Sequence, residues 1–220
     1  MSKRWPWQEP VPPTPEFIES ESANAWSHGI AFLAVLISLP FFFTTIHWDN
    51  FNRSFVIVIY ICCLLLMLLS SALFHGFKFT KHGKKLMILD HIAIYTMIAG
   101  TYTAILYRYI NTDSGQNLMS ILWIITALGA LFKIFFAGKW DIISGLFYLG
   151  MASLVFFIFP EFLSSVPTDI QQWVYIGGGC YVLGLVVYFL NHIPYNHLVW
   201  HFFVIGGAYS HYYGIYQAYL

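Results

Sequence analysis

The sequence predicts an all-α integral membrane protein, a seven-transmembrane helix bundle with a cytoplasmic N-terminus and an external C-terminus. Three observations predict it. Of the 220 residues, 59% are hydrophobic and 9% carry a formal charge, whereas a soluble domain has roughly 25% charged residues. The apolar residues come in blocks of about twenty, long enough for a helix to cross a hydrocarbon layer roughly 30 Å thick. These blocks do not alternate polar and apolar residues as barrel strands do, so in lipid the backbone must close its hydrogen bonds within helices.

The first residues are poor in helix signals. Pro6, Pro10, Pro12, Pro13 and Pro15 keep the opening segment extended, since proline lacks the N–H that a helix interior needs. Thr14 is a plausible N-cap, with Pro15 in the first helical position and Glu16 and Glu19 where negative charge suits the helix dipole. Residues 1–25 therefore read as a cytoplasmic N-terminal segment with a short interfacial helix, and residues 26–220 as the seven-transmembrane domain. Lys3 and Arg4 are not followed by an apolar stretch until Trp26, so no cleavable signal peptide is expected and the first span serves as the targeting signal.

Seven spans follow, near 26–46, 55–77, 86–107, 118–137, 142–159, 172–190 and 197–219, joined by short connections. Tyrosine and tryptophan near their ends, such as Trp48, Tyr109 and Trp140, suit the headgroup zones. Gly177, Gly178, Gly179 and Gly184 permit close helix approach in the sixth span. Cys62, Cys63 and Cys180 lie inside apolar blocks and read as packing residues. Orientation follows from Lys3, Arg4, Lys78, Lys81, Lys84, Lys85, Lys133 and Lys139 on one side against Arg53 and Arg108 on the other. The lysine-rich side is cytoplasmic, and the location is the cell (inner) membrane. Lys133 is expected to snorkel to the headgroups. Formal charge sums to zero and no basic patch appears, so nucleic acid is excluded as a partner, and no protein partner is inferred.

Ionised groups inside spans cost near ~3 kcal/mol each on insertion scales, so their depth is informative. Ser71 and His75 fall near the cytoplasmic end of the second span, Asp90 and His91 at the start of the third, and His197 and His201 at the start of the seventh. Glu21, Asn24 and His28 share one stripe of the first helix if it is continuous. They suit either a helix-helix hydrogen-bond cluster or a gating or supporting element. His197 and His201, four apart, present rings on one face about 6 Å apart. That spacing suits a metal or a polar packing contact, and His75 with Asp90 at matching depth favours the metal. Three neutral imidazoles leave a fourth tetrahedral position for water, as in catalytic zinc sites. Asp90 would manage its proton and Ser71 would steady the water or an oxyanion. His91 is about 100° round the helix from Asp90, so it is left out of the ligand set. His211, ten residues beyond His201, reads as a packing or gating residue. His47, His82 and His192 read as interfacial.

Several separated motifs resemble one family. Glu21, Asn24, Ser27 and His28, the SxxxH of Ser71 and His75, Asp90, and the HxxxH of His197 and His201 are similar to those of the bacterial hemolysin III family. That family belongs to the progestin and adipoQ receptor group, which includes the adiponectin receptors. The resemblance implies seven helices, a zinc held at the positions of His75, His197 and His201, and hydrolysis of lipid amides such as ceramide as a proposed activity. The leading expectation is thus a zinc-dependent hydrolase of a membrane lipid amide or ester. A non-enzymatic regulator of membrane lipid homeostasis with structural zinc is the alternative. Pore formation has least support, because no span carries a repeated polar stripe to line a water path.

Overall fold

Each apolar block is helical, as a backbone without outside hydrogen-bond partners requires. The computed structural model describes residues 14–48, 51–136, 138, 140–190 and 194–220. Among them are α1 (Pro15–Thr45), α2 (Phe51–Gly76), α3 (Gly83–Tyr109), α4 (Asp113–Phe136), α5 (Asp141–Ala152), α6 (Phe159–Ser165), α7 (Thr168–Phe189) and α8 (Asn196–Tyr219). A 3-10 segment, Ser153–Ile158, joins α5 to α6. Six stretches are long and apolar enough to cross a membrane: α1 to α4, Ile143–Ser165 and α7. With 24 residues α8 has the length, but its three histidines and five tyrosines dilute its apolar character.

The N-cap is as expected, for Thr14 Oγ1 accepts from the Phe17 N–H at 3.3 Å. The proline-rich opening residues lie outside the described ones. The expected short interfacial helix and the first span form one helix, Pro15–Thr45, which runs on through Pro40 although that residue gives up one bond of the backbone ladder. Helices α1 to α4 pack in chain order, α7 packs on α8, and α8 returns to α1, which closes the bundle. The outside is apolar, with Trp26, Ile37 and Phe157 exposed by 69%, 78% and 84%. Such a surface suits lipid, since a water-soluble chain rarely exposes large contiguous apolar area.

Glycine governs the α7–α8 seam. A Cβ on Gly207 would lie 2.8 Å from Tyr181 Cζ and 3.0 Å from the Gly177 carbonyl oxygen, while one on Gly177 would run into the His211 ring. Gly178 and Gly179, by contrast, face nothing within 4 Å.

The fifth span differs from the continuous helix expected at 142–159. It breaks at the 3-10 segment and resumes as α6, where Pro160 occupies an opening position that needs no N–H. Tyr102 pins the break, its hydroxyl donating to the Ala152 carbonyl at 2.6 Å and accepting from the Val155 N–H at 3.0 Å.

Lys133 also departs from expectation. It is fully buried rather than snorkelling, because it continues the inward stripe of Leu118, Leu122 and Thr126. That face of α4 packs on α3, so packing has set its direction.

Candidate metal centre

Antiparallel neighbours bring alternate helix termini to one level. The C-terminal end of α2 therefore meets the N-terminal parts of α1, α3 and α8. There His75, His197 and His201 converge, with ring centroids 4.9, 4.8 and 4.8 Å apart in a nearly equilateral triangle. One ligand nitrogen from each lies within 4.8 Å of the others, so the group could hold a metal ion.

Supporting contacts decide which nitrogens face inward. Glu21 Oε2 lies 2.6 Å from His75 Nδ1. A carboxylate can only accept, so Nδ1 carries the proton and Nε2 keeps its lone pair in the neutral ring. Glu21 Oε1 accepts from Lys78 Nζ at 2.8 Å. On the other side, Ser27 Oγ donates to the Asn24 carbonyl at 2.8 Å and lies 3.0 Å from His201 Nδ1. With its one proton committed, the hydroxyl accepts from His201, which leaves Nε2 of that ring also free to ligate.

His75 Nε2 and His197 Nε2 are 3.3 Å apart. Nitrogens bound at about 2.0–2.1 Å to one tetrahedral metal stand about 3.3–3.4 Å apart. That pair has the spacing of two ligands of one ion, and with His201 the three donors, within 4.8 Å of one another, could hold a metal.

Of the three α1 residues expected to gate or support the site, Glu21 contacts His75, Asn24 accepts from Ser27 through its backbone carbonyl, and the His28 ring lies tilted against His201 at 4.0 Å between centroids. All three are buried.

A cavity of about 270 Å³ opens from this cluster. His197, His201, Ser71 and Asp90 line its polar end. Asp90 thus stands beside the triangle, facing the cavity. Met97, Ile105, Leu149 and Val174 line the apolar remainder, which reaches His211.

His91 lines the cavity together with Asp90, which the expected 100° separation did not allow for; the cavity is wide enough to take both faces of α3. It stays outside the histidine triangle. At the far end His211 donates from Nε2 to the Val174 carbonyl at 3.2 Å, a packing contact between α8 and α7. His47 and His82 are exposed, and His192 lies outside the described residues. Sequence reasoning missed Lys78 as the second partner of Glu21 and Lys133 as a cavity residue. A four-residue stripe on α4 could have signalled the latter.

Comparison with known proteins gives a consistent picture. The profile of a family described as Haemolysin-III related matches residues 17–212. The Hemolysin-3 homolog of Bacillus subtilis (strain 168) is 35% identical over 195 residues, covering 87% of this chain and 90% of its own. Hemolysin-3 of Bacillus cereus is 32% identical over 197 residues, covering 88% and 89%. The human Monocyte to macrophage differentiation factor is 26% identical over 199 residues, covering 90% of this chain and 71% of its own.

Proposed function

The chain belongs to the Haemolysin-III related family of multi-pass membrane proteins, and from that premise we propose that it is a zinc-dependent hydrolase of a lipid amide or ester in the cell (inner) membrane. The observation that carries this reading is the shared cavity, in which His197, His201 and Asp90 open onto a long apolar space. In this reading α8 is the seventh span, because it closes the ring between α7 and α1. The lysine excess puts the N-terminus and the histidines at the cytoplasmic face.

Zinc suits three imidazoles with a fourth position left open, and when bound supplies Lewis acidity towards a carbonyl and towards water. The chain's own residues do the rest. Glu21 and Ser27 hold the His75 and His201 rings with Nε2 inward, as second partners of metal-binding histidines do. Asp90 takes a proton from water and returns it to the leaving group. Ser71 donates its one hydroxyl proton to the water or to the oxygen that gains charge. The apolar wall receives an acyl chain and excludes bulk water. From His197 to His211 the cavity spans fourteen residues of α8, about 21 Å of helix.

Metal analysis and turnover test this together. Wild type is expected to hold zinc and to hydrolyse at least one of a panel of ceramides, acyl amides and phospholipids. His201→Ala loses the metal, and Asp90→Ala keeps it but falls at least about a hundredfold in turnover. Zinc retention without turnover across that panel, and no effect of Asp90→Ala, would favour the second reading. In that reading a metal bridging α2 and α8 staples the bundle of a lipid-homeostasis regulator.

A further inference from the structure

The turn between α2 and α3 and the start of α3 hold four lysines within eight residues, Lys78, Lys81, Lys84 and Lys85. It joins two helices long and apolar enough to cross a membrane, so it lies where the bilayer ends. The turn is folded on itself. The Thr80 N–H and hydroxyl both donate to the Phe77 carbonyl, at 3.0 and 2.7 Å, and the Gly83 N–H donates to the Thr80 carbonyl at 3.0 Å. Lys78 fastens it to α1. Its ammonium donates to Glu21 at 2.8 Å and lies 5.0 and 5.4 Å from the centres of the Phe17 and Phe74 rings. Phe79 packs edge-on against Phe17 at 5.7 Å between centroids.

Lys81, Lys84 and Lys85 serve no such purpose. All three are exposed, and none makes an ion pair among the described residues. Lys84 and Lys85 gain nothing from α3 either, since they sit in its first turn, where the helix dipole disfavours cations. Beside them Phe77 and Phe79 are 50% and 47% exposed. The patch also continues the lipid-facing flank of the bundle. Lys85 and Leu89, four apart, share a face of α3, and Leu89 is exposed on the apolar exterior. Lys85 thus stands one turn above a lipid-facing side chain, at the level of the headgroups.

We infer that this turn is a docking surface for the phosphate headgroups of anionic phospholipids in the adjoining leaflet. Lys81, Lys84 and Lys85 are its charged contacts, while Phe77 and Phe79 are seated at the boundary of headgroups and acyl chains. Exposed aromatic rings beside lysines suit that boundary, whereas a soluble phosphate compound gains nothing from the rings. Each lysine near an anionic leaflet contributes about a fivefold preference. The surface lies on the outside of the bundle, away from the cavity, and its role is independent of the metal centre and of turnover.

Lipid selectivity tests this on the whole chain. The purified protein is placed in phosphatidylcholine vesicles carrying a trace of spin-labelled phosphatidylglycerol or spin-labelled phosphatidylcholine, and the motionally restricted fraction gives the relative association constant. Wild type is expected to favour phosphatidylglycerol by about fivefold or more at low salt, and by less at high salt as the charges are screened. Lys81→Gln, Lys84→Gln and Lys85→Gln combined remove most of that preference and leave phosphatidylcholine association unchanged, whereas arginine at the three positions retains it. No preference in wild type, or one that survives the triple glutamine variant, overturns the proposal. Should that variant fail to fold, an undiminished preference in Lys81→Glu alone overturns it instead. Glycerol phosphate, added at constant ionic strength, is expected to leave the preference in place. If it abolishes the preference, the surface takes a soluble phosphate compound and the lipid assignment fails.

Discussion

Glu21 accepts from both His75 and Lys78, at 2.6 and 2.8 Å, so its charge is spent on holding one ring and neutralising one cation. Removing that charge leaves the ring able to turn and lowers the basicity of its inward nitrogen. Glu21→Gln should weaken metal affinity by about 10–100-fold, and Ser27→Ala should act in the same direction through His201, each read by competition with a chromogenic chelator. An unchanged affinity in Glu21→Gln would show that the His75 orientation has another source. At this scale the sequence disclosed the histidines, since polar residues four apart stand out within an apolar helix. The pairing of Glu21 with a residue 54 positions away depends on how α1 is rotated against α2, which periodicity alone leaves open. For Lys133 the generic preference of a long cation for the headgroups misled, because helix packing fixed its direction first.

Among the elements, α8 carries two of the three clustered histidines and depends on its seam with α7 for its position. Gly207→Val would place branched carbon against Tyr181 and the Gly177 carbonyl. The expected cost is about 1–3 kcal/mol of stability, with loss of metal occupancy as the helix is displaced. Gly179→Ala meets open space and should be neutral or stabilising by up to about 1 kcal/mol. Thermal unfolding in detergent with metal analysis compares the two. All seven expected spans fall on helices because lipid leaves the backbone little choice. The break in the fifth was less legible. Pro160 marked a boundary, but the contacts that Tyr102 makes to both sides of the break come from another helix.

Taken whole, the bundle is a ring closed by α8 against α1, and the histidine cluster ties α2 to α8 near that closure. A metal bound only by the folded arrangement stabilises it by mass action. Chelation should therefore lower the unfolding temperature of wild type and leave that of His201→Ala unmoved. Equal shifts in both would mean that the chelator acts elsewhere. The ring also imposes an order on biogenesis. Because α8 is the long helix, among the described residues, that falls short of the apolar content of a membrane span, and emerges from the ribosome after the other seven, it enters the bilayer as a guest of a scaffold already in place. Two of the three imidazoles arrive with it, so a metal could be captured at this cluster only after the last helix has docked.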